Sequence, residues 1–166
     1  MKKKMFLLLP FFLFLFLSIP IFAQDNSGNT SQILDALKQN DENLEHRLDQ
    51  LAKSIDDITW FQRCGDVAFI DKVFLTGPPL AHEKNPTAQG AGNPVKFWAY
   101  IFIPKGIDVN KKYPLIVLPH GGVHGDFTTY HTHIIREMMF QKYIVVAADY
   151  RGSTGYGESF YKKIDY

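Results

Sequence analysis

The chain has 166 residues, with 18 Lys and Arg against 17 Asp and Glu for a formal net charge of +1, and 46% of it is apolar. That length holds one ordinary domain, and a charge so close to balance gives no footprint of a nucleic-acid or other polyanion partner. The single cysteine, Cys64, excludes an internal disulfide framework and reads as a small semi-buried residue.

Residues 1–23 have the layout of a secretory signal peptide. Lys2, Lys3 and Lys4 precede the apolar run "MFLLLPFFLFLFL", Pro20 follows, and the small residue Ala23 closes the segment. The run is short for a membrane span of ~20 residues, so membrane contact is expected only through this segment, with a retained anchor as the alternative. Its removal takes three lysines and no acid, leaving 15 basic against 17 acidic residues, a balance of −2. Export without disulfides suits a bacterial periplasm or exterior.

Residues 24–30, "QDNSGNT", read as a polar linker. Over 31–59 the spacing becomes that of an amphipathic helix, with Leu34, Leu37, Asp41, Leu44, Leu48, Leu51, Ile55 and Ile58 at the a and d positions of four heptads. Thr30 or Ser31 can cap its start. This seam must pack on something: either the body that follows or, in a homo-oligomer, the Leu34–Ile58 helix of another copy. Asp41 weakens the second option by interrupting the seam.

From residue 60 onward the pattern is that of a domain with strands. "DVAFIDKVFLTG" (66–77) and "NPVKFWAYIFIP" (93–104) alternate apolar and polar residues and predict an antiparallel hairpin across a long Pro/Gly/Ala-rich loop. "PLIVLP" (114–119) and "YIVVAADY" (143–150) are continuous apolar runs, predicting strands buried on both faces. Between them 127–141, with Ile134, Ile135, Met138 and Met139, predicts a helix. Strand, helix, strand gives a parallel pair with a right-handed crossover.

His120-Gly121-Gly122 stands where the chain leaves the first of those parallel strands, the end at which open α/β sheets carry their sites. Two glycines there are either a simple turn or a place where a bare backbone N–H is exposed, as an oxyanion hole requires. The two motifs "YPLIVLPHGG" and "AADYRGSTGYG", in this order and joined by a βαβ unit, resemble the prolyl oligopeptidase (S9-type) family of serine peptidases, within the α/β-hydrolase fold. The resemblance covers about 96–161, with one departure at Val123, where the family often has proline. It implies an α/β protein: an incomplete α/β-hydrolase sheet of an N-terminal hairpin plus one βαβ unit, preceded by the long helix. It also implies that the Gly122 N–H is an oxyanion donor, that Gly121 and His120 shape its turn, and that Tyr150, Arg151, Gly152 and Ser153 support the site.

A hydrolase of this kind needs its nucleophile in G-x-S-x-G, followed by an acid and a histidine. No such motif occurs in the sequence, and Ser153 and Ser159 both fail the spacing. The Ser-Asp-His triad is therefore expected beyond Tyr166, and 60–166 reads as the N-terminal part of a catalytic domain, inactive alone. Substrates of the parent would be peptides or esters, the choice of peptidase resting on the resemblance. Only about seventy residues separate the signal segment from the first hydrolase strands, so the β-propeller common in the family is not expected there. His120, His124, His131 and His133 are close in sequence, but their spacing does not converge and H-E-x-x-H is absent, so neither a metal nor a cofactor is expected. The alternative from another class is an exported binding or assembly module that uses its helix as a coiled-coil arm.

Overall fold

The computed structural model describes residues 27–82, 85–87 and 91–164. The signal segment and residues 24–26 lie outside them, while 27–30, expected as linker, already belong to the first helix, so that Thr30 and Ser31 lie within it and do not cap its start. Helix α1 (Ser27–Cys64) is 38 residues long, roughly 57 Å at 1.5 Å per residue, and extends past the periodic 31–59 at both ends. Strands β1 (Ala68–Pro79) and β2 (Pro94–Pro104) pair antiparallel from Ala68↔Pro104 to Thr76↔Lys96, with an irregularity before Pro79. Strand β3 (Leu115–Val117) leads through a 3-10 turn (Thr129–His131) and helix α2 (Thr132–Phe140) to β4 (Ile144–Asp149), and a short helix α3 (Glu158–Tyr161) follows. The sheet order is β1-β2-β4-β3, antiparallel except for the parallel β3–β4 pair. The hairpin, the βαβ unit and the preceding helix are thus the α/β architecture that the sequence predicts.

The core lies between α1, α2 and one face of the sheet. Trp60 and Cys64 from α1 join Tyr100 and Phe102 of β2, Phe127, Ile135 and Met139, and Val145 and Ala147 of β4. Trp60 stacks on Phe127 at 5.5 Å and meets the edge of Phe102 at 4.9 Å, the offset and edge geometries that aromatic rings favour.

Three expectations need correction. The α1 seam does not lie on the body: Leu34 is 51% and Ile58 66% exposed. The helix docks instead by the opposite stripe, His46, Asp49, Lys53, Asp56, Trp60 and Cys64, because the surface that receives it is largely polar and is satisfied by charge. Second, β3 is not buried on both faces: Leu115 and Val117 are exposed, since they share the sheet face of Ile144 and Val146, opposite the core face of Val145 on which α1 and α2 pack. Strand β4 buries Val145, Ala147 and Asp149 and leaves the alternate residues half-covered. Third, the 127–141 helix starts at Thr132, after the 3-10 turn. Phe127 is drawn into the core, and Asp56 of α1 receives the Thr129 N–H at 3.0 Å and its hydroxyl at 2.5 Å. This partner lies 73 residues away in sequence, so local spacing could not reveal it.

Candidate active-site scaffold

Two loops meet at the carboxyl ends of β3 and β4, and each carries one of the sequence motifs. The first turns at Gly122, whose φ of +79° belongs to the left-handed region that favours glycine. The Tyr150 hydroxyl donates to the Gly122 carbonyl at 2.5 Å and lies 3.2 Å from the His120 carbonyl, while the Tyr150 ring stacks on the His120 imidazole at 4.2 Å. One side chain from the second loop thereby fixes the shape of the first. Gly121 and Gly122 are exposed, and no group among the described residues accepts the Gly122 N–H.

His120 is buried, with Nε2 2.8 Å from Ser153 Oγ and 3.8 Å from Asp149 Oδ1. A serine, a histidine and an aspartate side by side suggest a triad, but the atoms are wrong for one. In a triad the base takes the serine proton on one ring nitrogen while the acid holds the other. Here serine and aspartate both approach Nε2, and Nδ1 faces the Gly121 carbonyl at 3.1 Å. The Ser153 hydroxyl donates to the Tyr150 carbonyl at 2.6 Å, so its oxygen accepts from His120 and its proton is held by a carbonyl. Ser153 is also fully buried. It is a brace between the two loops.

Of the other residues singled out by sequence, Gly152 is buried at φ +88° and its carbonyl faces His124 Nδ1 at 2.7 Å. Arg151 leaves the cluster and reaches toward the Pro79 carbonyl at 3.4 Å. His124 stacks on Tyr161 at 3.7 Å and His131 on Phe127 at 4.6 Å, and no three metal-ligating side chains converge among the described residues.

Sequence reasoning missed the charged centre beneath the loops. Asp149, fully buried at the end of β4, accepts the Phe127 N–H at 2.6 Å and the Tyr156 hydroxyl. Lys53 of α1 reaches it at 3.0 Å, lies 3.0 Å from Asp126 and donates to the Phe127 carbonyl at 2.6 Å. A buried charge must be paired and hydrogen-bonded to be tolerated, and this one has three partners. The lysine stem also explains Gly155: a β-carbon there would sit 2.8 Å from Lys53 Cβ, at a φ of +84°. Burial, followed by the charge of Asp149, raises the Tyr156 phenol well above its ordinary range. Burial, followed by the hydrogen bond to Asp57, does the same for Tyr100. Both phenols therefore stay protonated as donors. The available sequence signal was an aspartate closing an otherwise apolar strand; nothing local pointed to Lys53.

No family model matches the chain. A stretch of 64 residues is 42% identical to dipeptidyl-peptidase 5 of Schizosaccharomyces pombe, covering 37% of this chain and 9% of that protein. Another of 94 residues is 34% identical to dipeptidyl-peptidase 5 of Trichophyton equinum, covering 47% and 12%. Among solved structures, Pyrococcus horikoshii acylaminoacyl peptidase matches 58% of this chain and 13% of its own at 21% identity, with a TM-score of 0.38. The chain thus spans only about a tenth of the length of the curated relatives it matches, and the relatives bear out the resemblance carried by the two motifs.

Proposed function

We propose that the chain supplies the N-terminal part of an exported serine hydrolase of the prolyl oligopeptidase type, a peptidase acting by acyl transfer. The observation that carries the reading is the turn at Gly122. It presents a backbone N–H that nothing in the described structure accepts, at the carboxyl end of a parallel strand, fixed by Tyr150 from the neighbouring loop. A donor of that kind, rigid before the reaction begins, stabilises the oxygen that becomes negative when a nucleophile adds to a carbonyl. In this reading the substrate is a peptide or ester, and the nucleophile and its base belong to the longer protein. With no G-x-S-x-G in the chain and Ser153 buried with its proton engaged, the 166 residues hold a scaffold for the chemistry without its nucleophile. Export rests on the pattern of residues 1–23, and the exposed α1 seam adds an arm free to associate.

Two experiments test this. A fluorophosphonate probe, which phosphonylates activated serines with loss of fluoride, is expected to leave the 166-residue chain unlabelled and to label the full-length protein at a downstream serine; labelling of Ser153 or Ser159 would overturn the reading. Proline at position 122 would remove the donor but cannot adopt φ +79°, so the cleaner variant is Tyr150→Phe in the full-length protein. It frees the turn while leaving the donor in place, and a fall in kcat of about tenfold or more, with KM little changed, is expected for loss of a fixed oxyanion contact.

A further inference from the structure

The fold leaves the longest apolar feature of the described chain without a partner. From Leu34 to Ile58, every leucine or isoleucine at an a or d position is between 50% and 66% exposed. The residues by which α1 grips the body fall at b, c and f, about 180° around the helix from the seam. A second helix laid along the seam would therefore lie on the far side of α1 from the body.

Two details select the occupant and its direction. Asp41 occupies an a position. In a parallel pair a faces a, which would set two Asp41 carboxylates against each other in one apolar layer. In an antiparallel pair centred on His46, a faces d, each Asp41 meets Leu51 of the other copy, and the two carboxylates stand about 15 Å apart along the axis, beyond the ~10 Å screening length at 0.1 M salt. The second detail lies beside the seam. Ile33 and Phe61 are the exposed large apolar residues of α1 outside the a and d positions, at 55% and 58%, and both fall at g, at opposite ends. Antiparallel packing in the same register brings g to g and sets Ile33 of one copy beside Phe61 of the other. Parallel packing would give Ile33 the charged Lys38.

We propose that α1 is a dimerisation arm whose seam takes a second copy of this chain, antiparallel, with Leu44 of each copy against Leu48 of the other and Leu34 against Ile58. Four heptads are long enough for such a pairing. The inference stands apart from the hydrolase reading, because no residue of the two motif loops takes part.

Disulfide trapping in the full-length protein distinguishes the arrangements. Leu34→Cys/Ile58→Cys is expected to form a covalent dimer under mild oxidation, and Leu34→Cys alone is expected not to, since its partner position holds Ile58. A dimer from Leu34→Cys alone would mean parallel pairing and overturn the proposal. So would a chain that sediments as a monomer at tens of micromolar and forms no disulfide in either variant. Leu44→Glu/Leu48→Glu changes only exposed side chains of the protomer, so its circular dichroism should be unaltered while the dimer dissociates at least a hundredfold more readily. A dimer that survived this variant would be held by another surface, such as the exposed β3 edge, and would equally sink the assignment.

Discussion

The two long faces of α1 reverse the usual arrangement. The face against the body carries Lys53, Asp56 and Asp57, and the face toward solvent carries the leucines and isoleucines. Burial of apolar area is the dominant favourable contribution to folding, so the apolar seam looks like the docking face. The body decides otherwise, because its receiving surface holds Asp126, Asp149, Thr129 and Tyr100, which need charge and hydrogen-bond partners. Trp60 and Cys64 supply the apolar contact at the end of the same stripe. A helix therefore docks where its partners are complementary, and its hydrophobic periodicity shows only that some face is available for burial.

Substitutions on the two faces sharpen that contrast. Lys53→Met should have the largest effect, destabilising the chain by about 3–5 kcal/mol, the cost of leaving a buried carboxylate without its cation. Urea unfolding measures it, and Lys53→Met/Asp149→Asn should recover part of the loss because the orphaned charge is gone. Asp56→Ala, which removes the acceptor for the Thr129 N–H and hydroxyl, should cost about 1–2 kcal/mol by the same assay. On the seam, Leu51→Ala should cost the dilute protomer less than about 0.5 kcal/mol, as an exposed substitution does; any further loss should grow with protein concentration. If Leu51→Ala matched Lys53→Met in dilute solution, the assignment of the two faces would be wrong.

Smaller effects come from the C-terminal end of α1. Burial pushes the Cys64 thiol up to about 11, so it stays protonated at pH 8, and a thiol reagent should modify it only as fast as the chain unfolds. The Arg136 guanidinium, hydrogen-bonded to Asp66 at 2.5 and 2.7 Å, holds that carboxyl below its usual range. A depressed carboxylate contributes stability above its unfolded pKa and loses it as pH falls through the folded value. The difference between wild type and Asp66→Asn, small at pH 6 because the pair is exposed, should therefore close in acid below the ordinary carboxylate range.

What was legible in the sequence was what local pattern encodes. Alternation in "NPVKFWAYIFIP", the apolar "YIVVAAD" and the spacing of Ile135 and Met139 gave the hairpin, β4 and α2 because each element buries a face at its own period. His120-Gly121-Gly122 and Tyr150 were legible as a pair because two motifs in order imply two loops side by side. The charged centre was not. Lys53, Asp126 and Asp149 are far apart in sequence, and a lysine among the charges of a helix looks like solvated surface until the fold brings carboxylates to it. The exposure of β3 was hidden for a related reason: an apolar run records that a strand is to be covered, and not by what.

The most direct test of the central claim is to read the coding frame through Tyr166 and confirm the protein's C-terminus by intact mass. The account predicts an open frame that reaches G-x-S-x-G, then an Asp or Glu, then a His. A natural C-terminus at Tyr166 would contradict it, leaving a scaffold with an oxyanion turn but no nucleophile and favouring a non-enzymatic assembly module built on α1.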